Sequence, residues 1–340
     1  MKVLGVTAGM HSCGLSLVEN GKIIFSYEEE RLTRIRTYKD FYNNYHRYPL
    51  ESLSAALENY REHFKDIDYI AGCLPKEEYA DPMMEGIGLR HITNAPYIEV
   101  SHHEAHCNLA YFLSGFQEDT LTISIDGSGN HHSAKYYLGS GENLNYIGGI
   151  DISRKSLGHF YSMITEFLGF KRLKDEGKVV GMASHGSFDS DLYKIFNGCV
   201  NIDGFLTDTD HPQGKGVALG KLYEDFYTSF YKLYGSKYFR NKDFLEKFAY
   251  NGQYVFEEKI LSIVNHLHLL YPNAKKVALA GGVFANIKVN RRINELDWVD
   301  EVFIAPPMGD EGLPLGSALS VYKKFNSDFA LFQRTTEISD

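Results

Sequence analysis

Apolar and polar positions follow two different periods along this chain, and the strand period comes first. Val3-Leu4-Gly5-Val6-Thr7 is a short buried run, residues 9–14 are a tight connection, residues 15–19 a second strand, and Asn20-Gly21 a two-residue hairpin turn into a third strand at 22–27. The chain therefore opens with a β-meander. Residues 28–36 then turn charged and helical. Within 50–64, Leu53, Leu57, Tyr60 and Phe64 recur at helical spacing, and 68–73 reads as a short strand.

The theme returns downstream. Residues 121–125 are an apolar strand ending in Asp126-Gly127-Ser128-Gly129, followed by a strand at 134–138. Helices are predicted over 157–167 and 257–270. A strand at 276–280 is closed by Gly281-Gly282 ahead of a helix from about Phe284. A strand at 302–305 leads to the Asp310 turn, and 315–325 is a closing helix. Strand, glycine turn, strand thus occurs twice in an α/β pattern. No Pro-rich or Ser-rich linker interrupts the chain, so the boundary between two lobes is tight. It is placed near Gln117, giving an N-terminal lobe of 1–117 and a C-terminal lobe of 118–340. The aromatic-rich stretch 205–254 is the least legible, and its spacing favours core packing over base stacking.

Size and charge fit this picture. A chain of 340 residues exceeds what one core usually serves. Lys+Arg 35 against Asp+Glu 44 gives a net charge of −9, so no general basic field draws the protein to nucleic acid or to an anionic membrane. Cys13, Cys73, Cys107 and Cys199 are scattered, without a C-x-x-C pair, and no stretch approaches the roughly 20 apolar residues of a membrane span. The N-terminal residues run straight into a strand, with no long apolar leader. These features lead to the expectation of a cytoplasmic protein.

Candidate chemistry centres on Ser101-His102-His103-Glu104-Ala105-His106. On a helix His102 and His106, at i and i+4, share a face and can reach one metal ion. Asp310, in Pro306-Pro307-Met308-Gly309-Asp310-Glu311-Gly312, is the best third ligand. Two imidazoles and one carboxylate leave open positions, which suits a substrate-binding metal. The alternative is a polar helix face or a set of buried, satisfied histidines.

Three glycine turns can present backbone amides to phosphate: residues 9–14 beginning at Gly9, residues 126–129, and Gly281-Gly282 before a helix. Their order resembles that of the actin, hexokinase and heat-shock-chaperone ATPase fold, which implies two duplicated α/β lobes around a central nucleotide cleft. The likeness tightens over six blocks: Val3 to Gly9 with His11, Glu28-Glu29-Glu30-Arg31-Leu32-Thr33-Arg34, His102-His103-Glu104-Ala105-His106, Gly177-Lys178-Val179-Val180-Gly181-Met182-Ala183-Ser184-His185-Gly186, Gly281-Gly282-Val283-Phe284-Ala285-Asn286 and Gly309-Asp310-Glu311-Gly312. In this order they resemble the motifs of the O-carbamoyltransferases of nodulation-factor and antibiotic biosynthesis.

The resemblance implies transfer of a carbamoyl group from carbamoyl adenylate, a nucleotide ligand made from ATP, to a hydroxyl of a small-molecule acceptor. It implies adenosine on the segment from Gly281 to Asn286 and phosphate near Asp126, Gly127, Ser128 and Gly129, with a metal held by His102, His106 and Asp310. Fe(II) fits both the ligand set and the family, and Zn(II) is the alternative. His11 is the candidate general base and Lys178 a candidate for neutralising donor phosphate or oxyanion; the plainer readings are a turn residue and a solvated surface lysine. Asp126 orients the donor or a water, or merely begins its turn. His103 points about 100° around the helix from His102 and is assigned to substrate or to the shell behind the metal. Arg31 and Arg34 line the acceptor pocket or a charged helix face, and His131 and His132 are read as exposed polar residues.

The chain departs from that pattern in two places. Family members carry a further C-terminal domain similar to the threonylcarbamoyl-adenylate synthases, whereas this sequence runs to Asp340. A separate adenylate-forming synthase, a shortened chain or a different acyl donor would each account for this. His11-Ser12-Cys13-Gly14 also stands where the family tends to have His-Asp-Ala-Ser. A nucleotide-binding subunit of a split transfer complex is therefore the alternative function. The sequence leaves a monomer and a homodimer equally open.

Overall fold

Each of two sheets starts as a hairpin meander and ends in parallel strands joined by helices. The computed structural model describes residues 1–9, 12–34, 48–151, 156–200, 227, 228, 230 and 241–326. β1 (Lys2–Thr7), β2 (Gly14–Glu19) and β3 (Lys22–Glu28) pair antiparallel, with Asn20 and Gly21 at φ 48 and 77, as the sharp turn between β2 and β3 demands. After α1 (Glu29–Thr33) and α2 (Leu50–Tyr60), β4 (Tyr69–Gly72) lies parallel to β1. β5 (Tyr97–Glu99), reached through α3 (Asp81–Gly86), lies parallel to β4.

The chain then crosses through α4 (His102–Ser114) into the second sheet. There β6 (Thr120–Gly129), β7 (His132–Ser140) and β8 (Asn143–Asp151) form the antiparallel part. Helices α5 (Leu157–Phe167), α6 (Glu176–Ala183), α7 (Ser190–Cys199) and α8 (Lys242–Leu270) precede β9 (Lys276–Ala280). Helix α9 (Ile287–Asn294) links β9 to β10 (Glu301–Ile304), and α10 (Leu313–Phe325) closes the described chain. The sheet orders are β3-β2-β1-β4-β5 and β8-β7-β6-β9-β10, so the second repeats the first in order and in strand sense.

The layers follow from which face each strand residue occupies. In β1, Leu4 and Val6 join Leu53 and Met83 on one side, while Val3 joins the α4 and α10 cluster on the other. A strand covered on both faces reads as a continuous apolar run, which explains its legibility. In β6 the two sides differ: Leu121, Ile123 and Ile125 enter the core beneath α5 and α8, and the buried hydroxyl residues Thr122 and Ser124 occupy the alternate face. The middle cluster unites Leu109 and Phe112 of α4, Ala318 and Leu319 of α10, Val3 and Ala71 of the first sheet, and Ala278 and Ala280 of the second.

Gln117 does fall between α4 and β6, yet the layers do not follow a cut there. Helix α4 packs on β6, β7 and β9, while α10, far along the chain, packs on β1, β2 and β4. Each sheet thus receives a helix from the other half. Helix α10 meets both α4 and β1 backbone to backbone: a Cβ on Gly316 would collide with the Ala105 carbonyl of α4, and one on Gly5 of β1 would collide with the Pro314 carbonyl of α10.

Several elements differ from the sequence pattern. α1 is shorter than 28–36, ending where Arg34 adopts φ 58. α8 begins at Lys242 rather than 257, because the buried polar residues Asn251 and Gln253 break its apolar periodicity. The helix expected from Phe284 starts at Ile287, after a single turn over Gly282–Ala285. β5, β8, α6 and α7 carried no clear pattern. Among the described residues no helix is long and apolar enough to cross a membrane, and none of the four cysteines is in a disulfide.

Replacing Gly316 by Val is expected to destabilise the protein by on the order of 3 kcal/mol in urea unfolding, since backbone must move. Gly177→Ala, whose Cβ meets nothing within 4 Å, is expected to be neutral or slightly stabilising. Equal effects of the two would contradict the tight α4–α10 contact.

Candidate metal centre

β6, β9 and β10 are parallel neighbours, so the loops after their core segments emerge on one edge. Asp126 follows the β6 core, Gly281 and Gly282 follow β9, and Asp310 opens the short turn Asp310–Gly312 after β10. α4 delivers the histidines to the same edge. Its first amide, on His102, is capped from the second sheet: Asn130 Oδ1, in the β6–β7 turn, accepts that N–H at 2.7 Å. Gly129 lets the His102 ring lie flat on the hairpin, where a Cβ would overlap the imidazole.

The four side chains converge. His102 Nε2 lies 3.4 Å from Asp310 Oδ1 and 3.9 Å from Asp126 Oδ2; His106 Nε2 lies 3.4 Å and 3.5 Å from the same oxygens. One ligand atom from each residue falls within 4.8 Å of every other. His106 is fully buried, and neither Nε2 atom has a hydrogen-bond partner. Leaving such a nitrogen unsatisfied costs about 1–3 kcal/mol. Ligands about 2.1 Å from a tetrahedral ion stand about 3.4 Å from one another. The spacing and the orphaned nitrogens therefore fit a divalent cation, and two imidazoles with two carboxylates suit iron or zinc over calcium.

Asp126 adds a fourth member that the sequence pattern assigned to the nucleotide. Its only signal was an Asp at the end of a buried strand. Its carboxylate accepts the Gly127 N–H at Oδ1 (2.6 Å) and the Gly282 N–H at Oδ2 (2.9 Å). These two amides thus hold the Asp126 carboxylate in place. Burial alone would raise the Asp126 carboxyl, but the His102 and His106 imidazoles outweigh it and hold it well below the ordinary range. Burial likewise pulls the His106 imidazole down, and the Asp126 and Asp310 carboxylates overcome this and lift it to about 9.

The remaining sequence candidates occupy diverse settings. His103 is fully buried; its Nε2–H donates to the His132 carbonyl at 3.0 Å and its Nδ1 accepts from the Ser124 hydroxyl at 2.8 Å. Burial, aided by His102, pushes its pKa well down, so the ring is neutral and ties α4 to β6 and β7 rather than meeting substrate. Asn286, expected at the nucleotide, has a set of partners within the protein. Its Oδ1 accepts from Lys288 N, Val289 N and Gln253 Nε2, and its Nδ2 donates to Gln253 Oε1, so it caps α9 from a buried position.

Lys178 is 59 % exposed and pairs with Asp175 at 2.9 Å. Arg31 is 82 % exposed against Glu28, and Arg34 is exposed at the end of α1. The Gly9 carbonyl accepts from the Cys13 thiol, Gly281 N–H donates to the Met308 carbonyl, and Ser128 is exposed on its turn. His131 sits at the hairpin tip with φ 67, and His132 bonds the Asn130 carbonyl. His11 lies outside the described residues. Glu29, which the sequence placed only in a charged helical block, is buried: it accepts from Glu51 N, Ser52 N and the Ser52 hydroxyl, anchoring the start of α2.

Comparison with known proteins adds the following. A family model described as the carbamoyltransferase N-terminus matches residues 71–319. Protein MJ1051 of Methanocaldococcus jannaschii is 31% identical over 323 residues, covering 94% of this chain and 57% of its own length. Nodulation protein NolNO of Sinorhizobium fredii is 26% identical over 346 residues, covering 91% of this chain and 46% of its own. The chain thus spans about half the length of these relatives. Among solved structures, full-length HypF in its phosphate- and nucleotide-bound form aligns with a TM-score of 0.52 at 17% identity, over 97% of this chain and 56% of HypF, a likeness of fold.

Two outcomes are expected. His106→Ala or Asp126→Asn should lower metal affinity by at least about tenfold to a hundredfold, read as bound metal after dialysis; unchanged content would remove that residue from the ligand set. The raised His106 pKa stabilises the metal-free protein below its ordinary value of 6.5, and this is lost as pH rises through about 9. A metal must displace that proton. Affinity should therefore climb about tenfold per pH unit between 7 and 8.5, with release of a proton followed by calorimetry; a flat profile would contradict the imidazolium assignment.

Proposed function

Because this chain belongs to the family of carbamoyltransferase N-terminal domains, we propose that it moves a carbamoyl group from carbamoyl adenylate to a hydroxyl of a sugar-like or natural-product acceptor. The observation that carries this reading is the pair of orphaned, buried imidazole nitrogens of His102 and His106 facing Asp126 and Asp310 in a chain of that family. We read the repeated strand order as the duplicated-lobe fold of actin, hexokinase and the heat-shock-chaperone ATPases, with the nucleotide in the central cleft. The HypF structure holds phosphate and nucleotide, the ligand class proposed here.

In this reading the acceptor oxygen attacks the carbamoyl carbon, the bond from that carbon to the adenylate oxygen breaks, and AMP leaves. The hydroxyl proton passes to a neutral imidazole, for which His11 is the candidate. His102, His106, Asp126 and Asp310 would hold the ion, Fe(II) or alternatively Zn(II), which would supply Lewis acidity for the carbamoyl carbonyl or the phosphate. The protein fixes the geometry: the Gly127 and Gly282 amides aim the Asp126 carboxylate at the imidazoles, and His103 locks the helix that carries them. The ligand positions are thereby set before substrate arrives.

The donor comes from an adenylate-forming synthase, in the same or a separate polypeptide. Because the chain spans about half the length of its relatives, a second reading stands beside the first, a nucleotide-binding subunit active only with such a partner. The reading places the protein in the cytoplasm, where ATP-derived donors are made. Purified protein given carbamoyl adenylate and a panel of hydroxylated acceptors is expected to form a carbamate detectable by mass spectrometry. His106→Ala should lower the rate at least about a hundredfold. Turnover only after a synthase is added would favour the subunit reading, and no carbamate under either condition would defeat both.

A further inference from the structure

His159 is a polar residue that the centre described above does not use. It is the third residue of α5, whose N-terminus is capped by Ser156; that hydroxyl also donates to the Gly127 carbonyl at 2.6 Å. The helix comes unusually close to the Asp126–Gly127 turn, since a Cβ on Gly158 would lie 2.6 Å from the Gly127 nitrogen. The His159 ring therefore rests against Gly127, 3.6 Å from where a Cβ would stand. Both of its nitrogens are shielded from solvent, and neither has a hydrogen-bond partner among the described residues. It is not one of the four clustered ligands.

The surroundings suit an anion. Burial, then the charge of Arg172, lowers the imidazole pKa, so the ring is neutral and offers one N–H donor. Arg172 belongs to the α5–α6 connection, which carries Lys171, Arg172 and Lys174 in a chain of net charge −9. The acids of that connection serve its own folding. Asp175 accepts from Lys171 N and pairs with Lys178, while Glu176 accepts from Leu173 N and the Ser162 hydroxyl. Arg172 pairs with Glu166 at 3.6 Å.

We infer that His159, backed by Arg172, donates a hydrogen bond to a phosphoryl oxygen of the bound donor. This rests on the carbamoyl-adenylate reading and gives the donor a direction. Asp126 faces the metal set, and the adjoining residue, Gly127, faces His159. The acyl carbonyl and the phosphorus of a carbamoyl adenylate are likewise separated by a single bridging oxygen. The carbonyl end lies at His102, His106, Asp126 and Asp310, and the phosphate end at His159.

The test compares AMP, adenosine and inorganic phosphate as probes, by calorimetry on metal-loaded wild type, His159→Asn, His159→Phe and Arg172→Gln. His159→Phe should weaken AMP at least tenfold and leave adenosine unchanged. His159→Asn, which keeps a donor, should retain part of the affinity, and Arg172→Gln should act in the same direction. Phosphate should compete with AMP in wild type but not in His159→Phe. Metal content should stay constant. In wild type labelled with 15N-histidine, AMP but not adenosine should shift the His159 ring signals, a readout independent of how the variants fold. Unchanged AMP affinity in both His159 variants would overturn the inference alone. Loss of metal from His159→Asn would overturn it in favour of a ligand role. A wild type that binds neither nucleotide would overturn both the inference and the reading beneath it.

Discussion

Close contact between the backbones of α4 and α10 is the constraint on which the rest of the structure depends. Gly316 of α10 lies against the Ala105 carbonyl of α4, Gly5 of β1 lies against the Pro314 carbonyl of α10, and apolar side chains of both helices share one layer between the sheets. Interiors pack at crystal-like density, and a layer this tight has little freedom to slide. The position of α4 therefore fixes where His102 and His106 stand. Its N-terminus is held again by Asn130, in the turn of the opposite sheet. A helix from the first half of the chain is thus registered against strand ends from the second.

That registration makes the electrostatics of the centre intelligible. Two carboxylates and two imidazoles gathered at 3.4 to 3.9 Å would repel or remain unsatisfied if each kept its ordinary protonation state. Without an ion the cluster settles by holding a proton on His106 and charge on Asp126. The same atoms are spaced so that they could hold a divalent ion. The amides of Gly127 and Gly282 serve both states, because they stabilise a carboxylate whichever cation faces it.

The duplicated strand order has a functional consequence. Parallel strands end on the same edge, so β6, β9 and β10 bring Asp126, Gly282 and Asp310 together although they are far apart in the chain. Helix α5 adds His159 beside Gly127. Polar atoms of four elements thus surround one turn. Within that turn Asp126 faces the two imidazoles, and the next residue, Gly127, faces His159.

The sequence by itself determined the strands other than β5 and β8, the opening hairpin at Asn20-Gly21 and the shared face of His102 and His106, because these depend on neighbours within a few residues, where period and turn chemistry act directly. It also marked Asp310 as the distant carboxylate. It could not determine that Asp126 joins the imidazoles, that its carboxylate occupies the amides of the glycine turns, that His103 turns inward to Ser124, or that Asn286 is spent as a helix cap. Nor did it reveal that α4 and α10 exchange sheets. Each of those outcomes rests on a contact between residues remote in sequence, and only the packing of the two sheets around the shared helical layer decides which polar atoms meet.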